Sequence, residues 1–390
     1  MREQKQWLHE QARALAPWMT DLRRELHRHP ELSGQEAWTR ARIAAELAAI
    51  GLPCEQADGN VYAVLDGGRP GKTVVLRADF DALPVQEEAD VPFRSECAGA
   101  MHACGHDGHV SMLLGAAKVL AQLRAGLCGK IIFCFQYGEE QGRGAAEAIA
   151  WLEKQERVDA VCGLHVMADI PTGQIMLKPG PVMAGGTGFQ LQVRGRGGHG
   201  SSPWAAVDPL KPLCEILLRY TSLNANRFDV FDSFVVSPGV INGGTVANII
   251  PETAAFQATI RYFNLETFPK LQRELEHVAR TVAESYHAEA ELLMAPPMAP
   301  VVNDAALVSR AASLAADIDG LALSDHAPFM LSDNFALLLQ RFPGFYGFLG
   351  IGNHALGSDV AHHNPKFKLD EAALPLGCEF LAASALELLN

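Results

Sequence analysis

The chain of 390 residues has no uninterrupted apolar stretch of about 18 residues or more, so no transmembrane helix is expected. Nor does it have a Lys/Arg run longer than a pair. Its 32 Lys and Arg against 45 Asp and Glu give a net charge of −13, which argues against a nucleic-acid partner. The opening Met1-Arg2-Glu3-Gln4-Lys5-Gln6 is polar and lacks the apolar core of a secretory signal. The eight cysteines, at 54, 97, 104, 128, 134, 162, 214 and 378, follow no regular spacing, and several sit in apolar runs. They read as reduced thiols of a cytoplasmic protein rather than as a disulfide frame. No Walker loop and no Gly-x-Ser-x-Gly elbow occurs. Gly195-Arg196-Gly197-Gly198 follows a strand pattern but lacks the helix that a dinucleotide fingerprint needs.

What the sequence does hold is an ordinary globular balance, 48% apolar and 20% charged, over a length that predicts about two domains. Helical spacing covers 1–29, with Pro17 kinking it or starting a second helix, and covers about 34–50. Apolar strands at 60–65, 73–78, 130–136 and 160–165 alternate with helices at 109–123 and 144–154, which predicts an α/β core with a mostly parallel sheet flanked by helices. From about 186 the pattern changes. A half-exposed strand at 189–193 is followed by a helix at about 206–222, strands at about 232–241 and 253–263, a helix at about 267–286 and a strand near 288–294. That order, β-α-β-β-α-β, fits a ferredoxin-like α+β unit. The predicted organisation is one discontinuous domain, 1–185 and 296–390, with 186–295 inserted into it.

Ligand-type residues gather at the ends of the predicted core strands. Cys104-Gly105-His106 places a thiolate and an imidazole at one point, a good pair for a zinc-like metal; a Gly-rich turn around a buried Cys is the plainer alternative. Glu139-Glu140 follows the strand 130–136, where one carboxylate can ligate a metal while its neighbour moves a proton. His165 ends the strand 160–165, and His362-His363-Asn364-Pro365 occupies a turn near the C-terminus. Asp79 and Asp81 end the strand 73–78 and suit residues that orient ligating His side chains, or simple caps. A cysteine hydrolase on Cys104 stays open at this level, although the number of nearby ligand-type residues favours metal.

These motifs, with Arg24-Glu25-Leu26-His27-Arg28-His29-Pro30-Glu31-Leu32, Arg77-Ala78-Asp79-Phe80-Asp81-Ala82-Leu83-Pro84, Gly197-Gly198-His199-Gly200 and Asn248-Ile249-Ile250-Pro251, resemble the dinuclear-metal peptidase family of the aminoacylases and glutamate carboxypeptidases. The likeness is to its amidohydrolase branch of hippurate hydrolases, N-acyl-amino-acid amidohydrolases and auxin-conjugate hydrolases. The resemblance implies two divalent ions per subunit, of zinc, manganese, nickel or cobalt. Cys104 would bridge them, His106 and His165 would complete one site, and Glu140 and His363 the other. It implies Glu139 as the general base acting on a metal-bound water, and His199 as a residue that reaches the partner subunit's site to stabilise the oxyanion. Asn248 and Arg261 would hold the substrate carboxylate, and the inserted domain would act as lid and dimerisation surface. The substrate class implied is an N-acyl or N-aroyl amino acid, with short-peptide hydrolysis as the alternative. Ser332-Asp333-Asn334-Phe335 departs from the family's Ser-Glu-Asp-Phe, and Ala184-Gly185-Gly186-Thr187 lacks an Asp often found there. These departures leave room for a metal-binding homologue without turnover. The pocket lining is expected in loops such as 325–335 and 344–357.

Overall fold

A computed structural model describes residues 2–390. Contacts divide the chain into two units, one built from residues up to Gly180, Val302–Ala327 and Asp333–Asn390, the other from Pro181–Val301 and Pro328–Ser332.

The first unit opens with helices α1 (Arg2–Ala14), α2 (Ala16–Arg28) and α3 (Ala37–Ala49). Pro17, in the first turn of α2, ends the ambiguity of the predicted kink, because a proline there lacks only an N–H that a helix start leaves unpaired anyway. Then come β1 (Cys54–Ala57), β2 (Asn60–Asp66), β3 (Thr73–Asp79), α4 (His106–Ala121), β4 (Lys130–Gln136), α5 (Ala145–Leu152), β5 (Ala160–Pro171) and β6 (Gln174–Met176). The second unit carries β7 (Gly180–Met183), β8 (Gly185–Arg194), β9 (Gly198–His199), α6 (Leu210–Tyr220), α7 (Leu223–Arg227), β10 (Phe234–Gly243), β11 (Ile249–Ile250), β12 (Thr253–Tyr262), α8 (Thr267–Ser285) and β13 (Glu289–Met294). After β14 (Val301–Asn303) the first unit resumes with α9 (Ala305–Ala315), β15 (Ala322–Leu323), α10 (Phe335–Arg341), β16 (Gly344–Gly352) and α11 (Ala373–Leu389).

The large sheet has eight strands in the order β1-β2-β4-β3-β5-β16-β6-β15. Its central strands β4, β3, β5 and β16 run parallel to one another. β3 is buried along its whole length, as a parallel strand covered on both faces must be. Val74, Leu76 and Ala78 point into the core that α4 and α11 share, with Met112, Leu113 and Phe380. The alternate residue Arg77 points the other way, under Phe335 of α10, which stacks on Tyr346. One departure from expectation matters for the site. Residues 344–352, expected as loop, form the central strand β16. Its glycines are there for close approach, since a Cβ at Gly344 would collide with Val161 O and one at Gly350 with Pro171 O.

The second unit has a four-stranded antiparallel sheet in the order β10-β12-β8-β13, the ferredoxin-like arrangement. β12 alternates buried and accessible residues, and its inner face (Phe256, Ile260) packs with Leu213 of α6 and Leu271 and Leu275 of α8. No helix among the described residues is long and apolar enough to cross a membrane.

Candidate metal centre

The donors converge beyond the carboxyl ends of β3 and β4, where open α/β sheets gather ligands, and beside His165, which lies midway along β5 because that strand runs on to Pro171 instead of ending at 165 as expected. Helix α4 starts at His106, three residues before the predicted start, which puts the ring on its first turn. Gly105 makes the sharp entry possible. It sits at φ +90°, and a Cβ there would run into Val166 Cγ2. Gly138, at φ +64°, turns the chain so that Glu139 and Glu140 follow β4 directly, and its N–H donates to the buried Glu36 carboxylate at 3.0 Å. His363 holds a positive φ of 64°, which costs a non-glycine residue strain, and its N–H is tied to Ala103 O at 2.9 Å.

The ligand atoms of Cys104, His106 and His165 all lie within 4.8 Å of one another, as do those of Cys104, Glu140 and His363. Cys104 belongs to both triads. Cys104 Sγ is 3.6 Å from His165 Nε2, and His363 Nε2 is 3.3 Å from Glu140 Oε1. Glu139 groups with Glu140 and His106.

The chemistry of these donors fits divalent cations. His106 Nδ1 is engaged by Asp81, 3.0 Å from its carbonyl and 3.1 Å from Oδ1, which leaves Nε2 buried without a hydrogen bond. Glu140 Oε1 is likewise buried without one. His165 Nδ1 donates to Val166 O at 2.6 Å, so Nε2 carries the lone pair. Burial, then His109 and His362, holds the His165 pKa well below the usual value, keeping the ring in the neutral form that ligates metal. Burial and then the Glu140 charge push the Cys104 thiol well above its usual range. Burial, then Asp333 and Glu140, does the same to Glu139. Orphaned ligand atoms and acids crowded until they hold their protons are what cations would relieve.

His109 also groups with Asp79 and His106, but both its nitrogens are committed. Nδ1 lies 2.5 Å from Asp79 Oδ1, and Nε2 accepts the Val166 N–H at 2.9 Å. His362 is a support too, its Nε2 accepting the Ala168 N–H at 3.1 Å. Asp79 is buried against Arg77, 2.7 Å away, while Asp81 also accepts from Ser33 Oγ and the Glu140 N–H.

The sequence reading missed the layer beneath Glu139. Asn334 N–H donates to Glu139 Oε1 at 3.0 Å, and Asn334 Oδ1 accepts from Gln136 at 2.8 Å and from Arg77 at 3.2 Å. Asp333 accepts from Tyr346 OH at 2.8 Å. Both residues are buried, so the departure from the family pattern sits under the proposed base rather than in an open loop. Arg77, a charged residue in an apolar strand, and the departure at Asp333-Asn334 were the signals of this layer in the sequence.

His199, Asn248 and Arg261 lie in the second unit. His199 pairs with Ile249 across β9 and β11, and Asn248 O accepts the Gly200 N–H at 2.8 Å, so these two stand side by side and exposed. Arg261 lies on β12 opposite Gly186, with Nη1 donating to Ile260 O at 3.0 Å.

A model of peptidase family M20/M25/M40 matches residues 75–387. The chain belongs to that family. It is 35% identical over 378 residues to thermostable carboxypeptidase 2 of Saccharolobus solfataricus, covering 96% of each chain. It is 35% identical to IAA-amino acid hydrolase ILR1-like 2 of Arabidopsis thaliana, covering 96% of this chain and 85% of the relative. The crystal structure of the Bacillus subtilis YXEP protein, described as a dinuclear metal binding peptidase from the M20 family, superposes with a TM-score of 0.86 at 31% identity, covering 97% of this chain and 99% of that one. The chain is thus a metallohydrolase of amide bonds.

Proposed function

We propose that this chain cleaves N-acyl or N-aroyl amino acids to a carboxylate and a free amino acid, with Cys104, His106, His165, Glu140 and His363 holding two divalent ions. The observation that carries the proposal is the pair of donor triads sharing Cys104, with Glu139 beside them. When bound, such ions polarise a carbonyl and make water a better nucleophile. The protein supplies the proton handling. Glu139, anchored through Oε1 on the Asn334 N–H, takes a proton from the attacking water and returns it to the leaving nitrogen. A carboxyl pushed upward by burial suits both halves of that task. His199 reaches the site of the partner subunit and donates to the oxyanion developing there, and Asn248 and Arg261 receive the substrate carboxylate.

A thiol-nucleophile reading is less well supported. His165, 3.6 Å from Cys104 Sγ, spends its Nδ1 on a backbone carbonyl, and burial with the Glu140 charge holds the thiol well above its usual range, away from the thiolate that a nucleophile needs. Hydrolysis of short peptides is the second reading, and the carboxypeptidase relative favours it. Eight free cysteines fit a reducing cytoplasm. A homodimer through the second unit is supported by the edge strand β10, which exposes Val235, Val240 and Ile241.

The test is a panel of N-acetyl and N-benzoyl amino acids and dipeptides with zinc, manganese, cobalt and nickel added in turn. Glu139→Gln is expected to lower kcat by about 10²–10⁴-fold while metal content is unchanged. Full activity in that variant would remove Glu139 from the mechanism. Bound metal without turnover on any substrate would mark a homologue that has lost catalysis. Activity that survives chelators and dies on alkylation of Cys104 would establish the thiol route.

A further inference from the structure

The turn after β9 holds His199 in one orientation. Two donors reach its Nδ1, the Ser201 backbone N–H at 3.1 Å and Ser201 Oγ at 2.7 Å. The backbone of the turn is itself pinned, since Ser202 N–H donates to His199 O at 2.9 Å and Gly200 N–H to Asn248 O at 2.8 Å. A backbone N–H can only donate, so the nitrogen it faces must offer a lone pair. A neutral imidazole with its lone pair on Nδ1 carries its proton on Nε2.

We infer that Ser201 is a positioning residue that locks His199 as the Nε2–H tautomer, so that the exposed ring presents a fixed N–H donor to an oxyanion. The hydroxyl and the amide act together. The hydroxyl fixes the ring angle that keeps Nδ1 over the amide, and the amide so placed excludes the Nδ1–H tautomer; without the hydroxyl the ring turns away and both tautomers become accessible. A histidine free to flip or change tautomer would present a lone pair to the oxyanion part of the time and repel it. The inference rests on the proposed role of His199 in hydrolysis; the tautomer itself can be read without turnover.

The experiment uses the full chain labelled with ¹⁵N-histidine, with the His199 signals assigned by their loss in His199→Gln. In wild type, Nδ1 should show the shift of a lone-pair nitrogen and Nε2 that of a protonated one. Ser201→Ala should give a mixture of tautomers and lower kcat by about fivefold, the loss of a hydrogen bond of ordinary net strength, with KM little changed. Ser201→Thr should restore both. A wild-type Nδ1–H tautomer overturns the inference. So does a Ser201→Ala spectrum identical to wild type, whatever happens to kcat. His199→Ala separates the two levels: if it hydrolyses at the wild-type rate, the catalytic role of His199 fails while the tautomer result stands on its own.

Discussion

The donor cluster around Cys104 and the turn around His199 are built in opposite ways. Around Cys104 the two buried rings are fixed from behind, His106 by Asp81 and His165 by Val166 O, and a second layer of charge lies beneath, while the exposed His363 is set by its backbone bond to Ala103 O. Around His199 the fixing groups come from within two residues on an exposed turn. The difference follows from what each place must hold. Concentrated charge at a metal centre needs deep, fully paired support, whereas one neutral donor needs only local aim.

The comparison breaks most visibly if the deep support is removed. Arg77→Met leaves Asp79 and Asp333 buried without their cation, and removing one partner of a buried pair costs about 3–5 kcal/mol. Urea unfolding should show that loss, with Arg77→Lys recovering part of it because the charge returns without the planar fork. An unchanged midpoint in Arg77→Met would mean that the charge layer contributes nothing to stability.

A slightly smaller effect depends on pH. Burial, with His27 and His106 adding to it against Asp107, lowers the pKa of His102 to about 4 from an ordinary 6.5. The unfolded chain therefore takes up a proton between pH 6.5 and 4 that the folded chain refuses. Stability falls as pH falls through that window, by about 3 kcal/mol in all. Metal-stripped His102→Gln should unfold in urea with a flatter dependence between pH 6.5 and 4 than metal-stripped wild type. Equal slopes would show that His102 protonates in the folded state as readily as in the unfolded one.

These contrasts also explain what the sequence disclosed. The proposed metal donors stood out in the sequence because they sit in short motifs, Cys104-Gly105-His106 at the start of a helix and Glu139-Glu140 just after a strand whose apolar run marks it as central. The seat of Glu139 was not legible. Asn334 meets it from 195 positions away in sequence, and no local spacing announces such a pairing. The run Gly344–Gly352 misled for a different reason. Its glycines look like turn residues, yet they serve a tightly packed parallel strand, a use that depends on neighbours the pattern does not name. In the second unit the alternation along β12 disclosed the sheet, because one face is buried and the other is not.

The smallest of the three effects is the sharpest probe of deep support, because it alters aim without removing a ligand. Asp81 engages His106 Nδ1 through its side chain and also accepts the Glu140 N–H, so one carboxylate orients a donor from each triad. Asp81→Asn keeps the size and one acceptor but loses the charge that makes His106 a stronger ligand. Such outer partners are worth about 10–100-fold in metal affinity. Calorimetric titration of the stripped protein with zinc and with manganese should show that loss, with the fold retained by circular dichroism. The same titration of Ser201→Ala should match wild type, because its turn serves a donor rather than an ion. If Asp81→Asn binds both metals as tightly as wild type, the backbone carbonyl of residue 81 is enough to orient His106. The two places would then be built alike, each ring aimed by a backbone group.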